Sequence, residues 1–107
     1  MCSEKIKLIK KIMPKKLKRR IISKCGFFPK IKVSHVDSCY IFAEQTIYID
    51  VENPFVEEVI YSFFHELAHF LYRNMSPLYD PKAKWYEYEE MMANNFAHGM
   101  MKKYYHL

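Results

Sequence analysis

The first 26 residues place apolar side chains at intervals of three and four among many lysines, the spacing of one face of a helix. The apolar positions in this series are Ile6, Ile9, Ile12 and Met13, followed by Leu17, Ile21 and Ile22. Proline suits the first turn of a helix and disrupts an interior, so Pro14 either begins a second helix or kinks the first. Gly26 is a suitable C-terminal stop.

Between residues 30 and 51 the spacing changes to two, and the residues become β-branched and aromatic. The alternating positions are Ile31 and Val33, then Tyr40 and Phe42, then Ile47 and Ile49 opposite Tyr48. This pattern predicts three short antiparallel strands. The predicted turns lie at Asp37-Ser38 and at residues 43–45.

The second half of the chain returns to helical spacing. Asn53-Pro54 predicts a helix start, with an Asn cap, a proline in the first turn and Glu57 and Glu58 near the positive end of the helix dipole. This helix is expected to extend to about Asn74, with a broad apolar face formed by Phe55, Val59, Phe63, Leu67, Phe70 and Leu71.

A last helix is predicted from about Lys84 to Tyr104, with Met92, Phe96 and Met100 on one side. Ser76-Pro77 and Asp80-Pro81 indicate a loop before it. The expected fold is therefore a single small α+β domain spanning residues 1–107. It consists of a basic helical arm (1–26), a small sheet (30–51) and two helices (53–104) that carry the candidate site.

Charge divides the chain into two unequal parts. Residues 1–32 contain twelve Lys or Arg and one acid, whereas residues 33–107 contain five Lys or Arg and eleven acids. The basic arm is either a solvated surface that attracts the acidic remainder or a patch for nucleic acid or an acidic partner. The solvated surface is favoured, because the arm contains no recognised nucleic-acid module.

Several classes are disfavoured by composition. No apolar run approaches the roughly 20 residues of a membrane span, and the start lacks the apolar core of a secretory signal, so a cytoplasmic protein without membrane association is expected. Three cysteines without CxxC spacing argue against a disulfide framework and against a cysteine zinc knuckle.

Residues 65–69 read His-Glu-Leu-Ala-His and fall within the predicted central helix. Histidines four residues apart point the same way and can hold one zinc ion. Glu66 lies one step round the helix, where its carboxylate can approach a zinc-bound water as general base. With 5 His and 9 Glu in the chain, roughly 0.02 such matches are expected by chance.

A hydrolytic zinc site normally takes three protein ligands. Three glutamates begin the last helix, and Glu90 is the preferred third ligand, with Glu89 as the alternative. Small residues continue the face of Glu90, and they would permit close approach to the zinc helix. Asn94 lies on the same face, where it could hydrogen-bond a ligand residue without itself binding the metal.

The zinc motif and the later Glu-x-x-Ala-Asn-x-Phe-Ala segment resemble the ImmA/IrrE family of gluzincin metallopeptidases, and the similarity extends to the minigluzincins of about this length. It covers roughly residues 46–100. The resemblance implies that His65, His69 and Glu90 bind zinc, that Glu66 is the base, and that Asn94 supports a ligand. It also implies an extended substrate along the strand at residues 46–50, next to Tyr48 and Ile49.

The resulting hypothesis is a zinc-dependent metallo-endopeptidase of narrow specificity, whose substrate would be an intracellular regulator. The alternative is a catalytically weak binding or regulatory protein that keeps the zinc fold and uses its basic arm for DNA or an acidic partner. A third hypothesis is self-inhibition by the C-terminal tail through His106. The candidate donors for the oxyanion, which the sequence does not rank, are Tyr72, Tyr86, Tyr88, His98 and His106.

Overall fold

A computed structural model describes residues 3–75 and 86–105. The predicted loop at residues 76–85, the helix start at Lys84 and the tail residue His106 lie outside the described residues. The elements in chain order are α1 (Ser3–Ile12), α2 (Lys15–Cys25), β1 (Lys30–Ser34), β2 (Cys39–Ile41), a 3-10 turn (Phe42–Glu44), β3 (Thr46–Asp50), α3 (Val56–Met75) and α4 (Tyr86–Tyr105). The expected α+β fold is confirmed at this level.

The sheet is mixed, so the prediction of three antiparallel strands was wrong. β3 is the central strand: β2 pairs with it antiparallel, and β1 pairs with it parallel on its other edge. The segment between β1 and β2 does not form a hairpin, because it crosses the end of β3. The Asp50 backbone N–H donates to Ser38 Oγ (2.9 Å), and the Val51 N–H donates to the Ser34 carbonyl (3.0 Å). Alternating burial alone does not specify which strands are neighbours.

The basic arm folds as two helices. Pro14 caps α2 with an extended backbone, and Gly26 ends it at φ 88°, a left-handed conformation that favours glycine. The Gly26 N–H donates to the Ile22 carbonyl (2.8 Å), which satisfies one of the last carbonyls of the helix. Both helices bury apolar side chains in the common core, among them Ile6, Ile9 and Ile21.

α3 is the central helix, since it contacts α1, α2, β2, β3 and α4. It begins at Val56, slightly later than predicted, because Asn53 Oδ1 accepts a hydrogen bond from the Phe55 N–H (2.9 Å) ahead of the first helical turn. Most of the predicted apolar face is buried. Phe55 is the exception, with 64% of its surface exposed.

Hydrogen bonds of Asn74 join the C-terminal half of α3 to β2 and to the turn before β3. Asn74 Nδ2 donates to the Tyr40 hydroxyl (3.1 Å) and to the Phe70 carbonyl (2.8 Å), and Gln45 Nε2 donates to Asn74 Oδ1 (3.1 Å). Gln45 adopts a positive φ of 51° at this turn. These bonds hold β2 beside the middle of α3, where the candidate site lies.

α4 packs along α3 through two buried alanines, Ala93 and Ala97. Small side chains let two helix backbones approach closely, as the sequence led us to expect. Within the described ranges, no helix combines the length and the apolarity that crossing a membrane requires.

Candidate metal centre

Two imidazoles on consecutive turns of α3 define the site. His65 and His69 are four residues apart, so they project from the same face of the helix. Their ring centroids are 4.9 Å apart, and their Nε2 atoms approach each other to 3.2 Å. Both side chains are largely buried, with 15% and 9% of their surfaces exposed.

Glu90 reaches this histidine pair from α4. One of its carboxylate oxygens lies 2.8 Å from Nε2 of His69, and the other lies 3.2 Å from Nε2 of His65. The three side chains offer ligand atoms that all lie within 4.8 Å of one another. The structure therefore brings together the three residues that the sequence selected as metal ligands.

Glu89 occupies the opposite side of the His69 ring. Its Oε2 lies 2.6 Å from Nδ1 of His69, and the Arg73 guanidinium donates to both of its oxygens at 3.4 Å. The carboxylate is buried, with 9% of the side chain exposed. Its position beside Met92 and Phe96 on α4 predicts a carboxylate that points towards apolar packing or a different edge. Glu89 lines an apolar cavity with both residues, and it contacts the edge of the His69 imidazole opposite to Glu90.

These contacts fix where the imidazole hydrogen lies. A carboxylate accepts hydrogen bonds, so the bond to Glu89 places the hydrogen of a neutral His69 on Nδ1. Its Nε2 then directs a lone pair at the Glu90 carboxylate, 2.8 Å away. Such an arrangement is unfavourable unless a positive charge, a proton or a metal ion, lies between the two groups.

The donor set fits a zinc ion. Ligand atoms about 2.0 to 2.1 Å from a tetrahedral zinc ion stand about 3.3 to 3.4 Å apart. The three separations here are 2.8, 3.2 and 3.2 Å, so an outward shift of a few tenths of an ångström would admit the ion. The His69–Glu89 bond also follows a common pattern, in which a carboxylate behind a ligand histidine orients the ring.

Glu66 is buried next to this group, with 8% of its surface exposed. Burial raises the pKa of its carboxyl to about 8, and the Glu90 carboxylate adds to the rise. The Tyr40 backbone N–H hydrogen-bonds the carboxylate and, together with the Arg73 charge, opposes this shift. A cation held by the adjacent histidines would also favour the ionised form.

A polar cleft of about 440 Å³ opens beside His65 and Glu66. Its other walls are formed by the connection between β1 and β2, the end of β3, the start of α3 and one residue of α4. The polar side chains in these walls include Asp37, Ser38, Asp50, Tyr61, Ser62 and Asn94. This volume lies within the usual range for small-molecule or side-chain sites.

Asn94 contacts Tyr61 rather than a ligand histidine. The Tyr61 hydroxyl donates to Asn94 Oδ1 (3.0 Å), and the Tyr61 ring lies between the rings of His65 and His98, at centroid distances of 6.3 and 5.0 Å. Nδ1 of His65 is buried without a hydrogen-bond partner among the described residues. The hydrogen bond to a ligand histidine that was predicted for Asn94 is thus made by Glu89, and the histidine is His69.

The candidate oxyanion donors are scattered. Tyr72 lines a separate apolar cavity of about 370 Å³, Tyr88 is exposed, and His98 contacts Tyr61. The Tyr86 side chain and His106 lie outside the described part of the chain. Tyr61, which the sequence did not suggest, lines the cleft.

The prediction that an extended peptide adds along β3, next to Tyr48 and Ile49, was wrong. Both edges of β3 are already paired, one with β1 and the other with β2, and Ile49 is fully buried. Among the described strands, β2 has an outer edge without a strand partner. That edge adjoins the site, because the Tyr40 N–H bonds the Glu66 carboxylate.

Two of the residues that sequence reasoning missed are related to the histidines by helical spacing. Tyr61 and Arg73 stand four residues before His65 and four after His69, so they continue the same row on α3. Helical spacing could have identified both. No spacing rule could have identified Tyr40, because its contact with Glu66 depends on tertiary packing.

Comparison of the chain with protein-family models, with curated proteins and with solved structures finds no match.

Proposed function

We propose that this protein is a zinc-dependent metallo-endopeptidase with a zincin-like catalytic core. The observation that carries the proposal is the convergence of two imidazole Nε2 atoms and one carboxylate, next to the buried carboxylate of Glu66 and open to a cleft. The resemblance of the zinc motif and the glutamate helix to the ImmA/IrrE gluzincins supports the same reaction.

His65, His69 and Glu90 would hold the ion, and Glu89 would keep the His69 ring in the tautomer that presents Nε2. When bound, zinc would polarise a peptide carbonyl and lower the pKa of a water molecule to about 7. Glu66 would take the proton of that water as the new C–O bond forms. It would then deliver the proton to the amine nitrogen as the C–N bond breaks.

The substrate would lie along the outer edge of β2. Addition of an extended peptide to an open strand edge satisfies backbone donors and acceptors without requiring a particular sequence. β2 has three residues, Cys39–Ile41, so the edge would hold a short stretch of peptide. The Tyr40 N–H on this edge is already bonded to Glu66, so the peptide would use the other backbone groups of the edge, and this bond would set the distance between the peptide and the base.

The first experiment incubates the zinc-loaded protein with a complex mixture of cellular peptides and identifies new termini by mass spectrometry. Wild-type protein should generate new termini, whereas Glu66→Gln should generate none while still binding about one zinc per chain. Glu57→Gln, which neutralises an exposed acid on the same helix, is the matched control and should remain active. Cleavage that persists in Glu66→Gln would overturn the proposed base.

If wild-type protein binds no zinc even after reconstitution, the peptidase proposal fails. If it binds zinc but cleaves no peptide, the proposed metal site is supported and the proposed peptidase reaction is not. The family resemblance supports a cytoplasmic regulatory protein as the natural substrate, and purified candidate regulators of this class are the second set to test.

A further inference from the structure

A dense basic surface covers the exposed sides of α1 and α2. Between residues 7 and 20, eight cationic side chains are exposed: Lys7, Lys10 and Lys11 on α1, and Lys15, Lys16, Lys18, Arg19 and Arg20 on α2. Glu4 is the single acid in the first 32 residues. Within the described ranges, these eight side chains form no ion pair with a carboxylate.

The start of α2 concentrates this charge in an unfavourable way. Its first turn contains no acid, and Pro14 provides no side-chain cap, although the positive end of the helix dipole lies there. Lys15 and Arg19 are like-charged neighbours at a spacing of four, as are Lys16 and Arg20. The folded protein therefore carries a local repulsion, which a bound polyanion would relieve.

The surface also has few of the apolar anchors that other partners require. On the described residues of α1 and α2, Ile22 is the one large apolar side chain among the exposed ones, at 41%, because the helices bury most of their apolar faces in the core. Membrane-surface helices insert apolar side chains, and protein interfaces depend on buried aromatic or aliphatic anchors. Binding to a phosphate backbone needs neither, since counterion release supplies most of its free energy.

We infer that the basic surface of α1 and α2 binds the phosphate backbone of nucleic acid without sequence specificity. Its exposed lysines and arginines would neutralise phosphates. No side chain would need to read a base. This activity is independent of the proposed peptidase reaction, because none of the eight cations lies among the metal-binding residues or the cleft.

The test measures binding of the full-length protein to a fluorescein-labelled DNA duplex of about 20 base pairs by fluorescence anisotropy, over a range of salt concentrations. Four to six phosphate contacts predict a slope of about −4 to −5 in a plot of log K against log salt concentration. Lys16→Glu with Arg19→Glu should weaken binding at least about tenfold at low salt and should make the slope shallower by about 2.

The matched control is Lys102→Glu with Lys103→Glu, which makes the same change in net charge at the far end of α4. It should change the affinity less than about twofold. Lys16→Gln with Arg19→Gln keeps the inference testable if the charge-reversed protein does not fold, as judged by circular dichroism. Glu66→Gln should bind DNA as wild type does, which separates this inference from the peptidase proposal.

Three results would overturn the inference: no binding to the duplex at about 50 mM salt, equal weakening by the α2 and α4 variants, or tighter binding to poly-glutamate than to DNA. The last result would indicate an acidic protein partner. Binding to vesicles of phosphatidylglycerol without binding to DNA would indicate a membrane surface instead.

Discussion

Nδ1 of His69 and Oε2 of Glu89 are 2.6 Å apart, in a contact that is largely closed to solvent. Because a carboxylate behind a ligand histidine fixes the ring and increases its basicity, Glu89→Ala should weaken zinc binding about 10- to 100-fold. Glu90→Ala removes a ligand outright and should weaken it further. Titration of each protein with a competing chelator measures these affinities.

Glu89→Gln should fall between wild type and Glu89→Ala, because the amide oxygen still accepts the Nδ1 hydrogen but carries no charge. Glu57→Ala, an exposed acid on α3, should bind zinc as wild type does. A Glu89→Ala protein with wild-type affinity would show that the His69–Glu89 bond plays no part in metal binding.

Local rules were sufficient for the parts of this protein that depend on neighbours along the chain. Helical spacing brought His65 and His69 together, Pro14 and Gly26 marked the ends of α2, and small residues indicated the α3–α4 contact. The choice of Glu90 over Glu89 as the group facing both Nε2 atoms agrees with the structure.

The predictions that failed concern contacts between segments that are distant along the chain. The order of the strands follows from the crossing over the end of β3, and alternation within a strand carries no information about it. The contact between Glu89 and His69 was not predicted, because a helical wheel assigns each residue one face, whereas a ring inserted between two residues can contact both. Phe55 was misjudged because α3 begins after it.

The central position of α3 leads to a prediction about stability. Leu67 is fully buried in the core, so Leu67→Ala should lower the free energy of unfolding by about 2 to 5 kcal/mol. Phe55→Ala removes a larger side chain that is 64% exposed, and it should change the free energy by less than about 0.5 kcal/mol. Urea unfolding of the metal-free proteins measures both. A larger loss in Phe55→Ala would contradict the assigned burial.

The hydrogen bond between Tyr61 and Asn94 joins α3 to α4 at the mouth of the cleft. Tyr61→Phe and Asn94→Ala each remove this bond, so the double variant should lose less stability than the sum of the single variants. The expected coupling is about 0.5 to 1 kcal/mol. A double-mutant cycle in urea measures it, and strictly additive losses would show that the bond does not form in solution.

The pKa of Glu66 predicts how the stability of the metal-free protein depends on pH. In the folded protein the pKa is raised to about 8, whereas in the unfolded chain it is about 4.3. Between these values the folded state retains a proton that the unfolded state has lost. Stability should therefore fall as the pH rises, by up to about 1.4 kcal/mol per pH unit, and the decline should level off above the folded pKa.

Glu66→Gln keeps the shape of the side chain and removes its titration, so this variant should lack that contribution to the decline. Urea unfolding in the presence of a chelator, at several pH values between about 5 and 8, gives the difference between the two proteins. Subtracting one profile from the other removes contributions from other groups whose titration the substitution does not change. Parallel profiles would mean that Glu66 is already ionised in the folded, metal-free state. In that case the Tyr40 N–H and Arg73 would outweigh the burial and the Glu90 charge that raise its pKa.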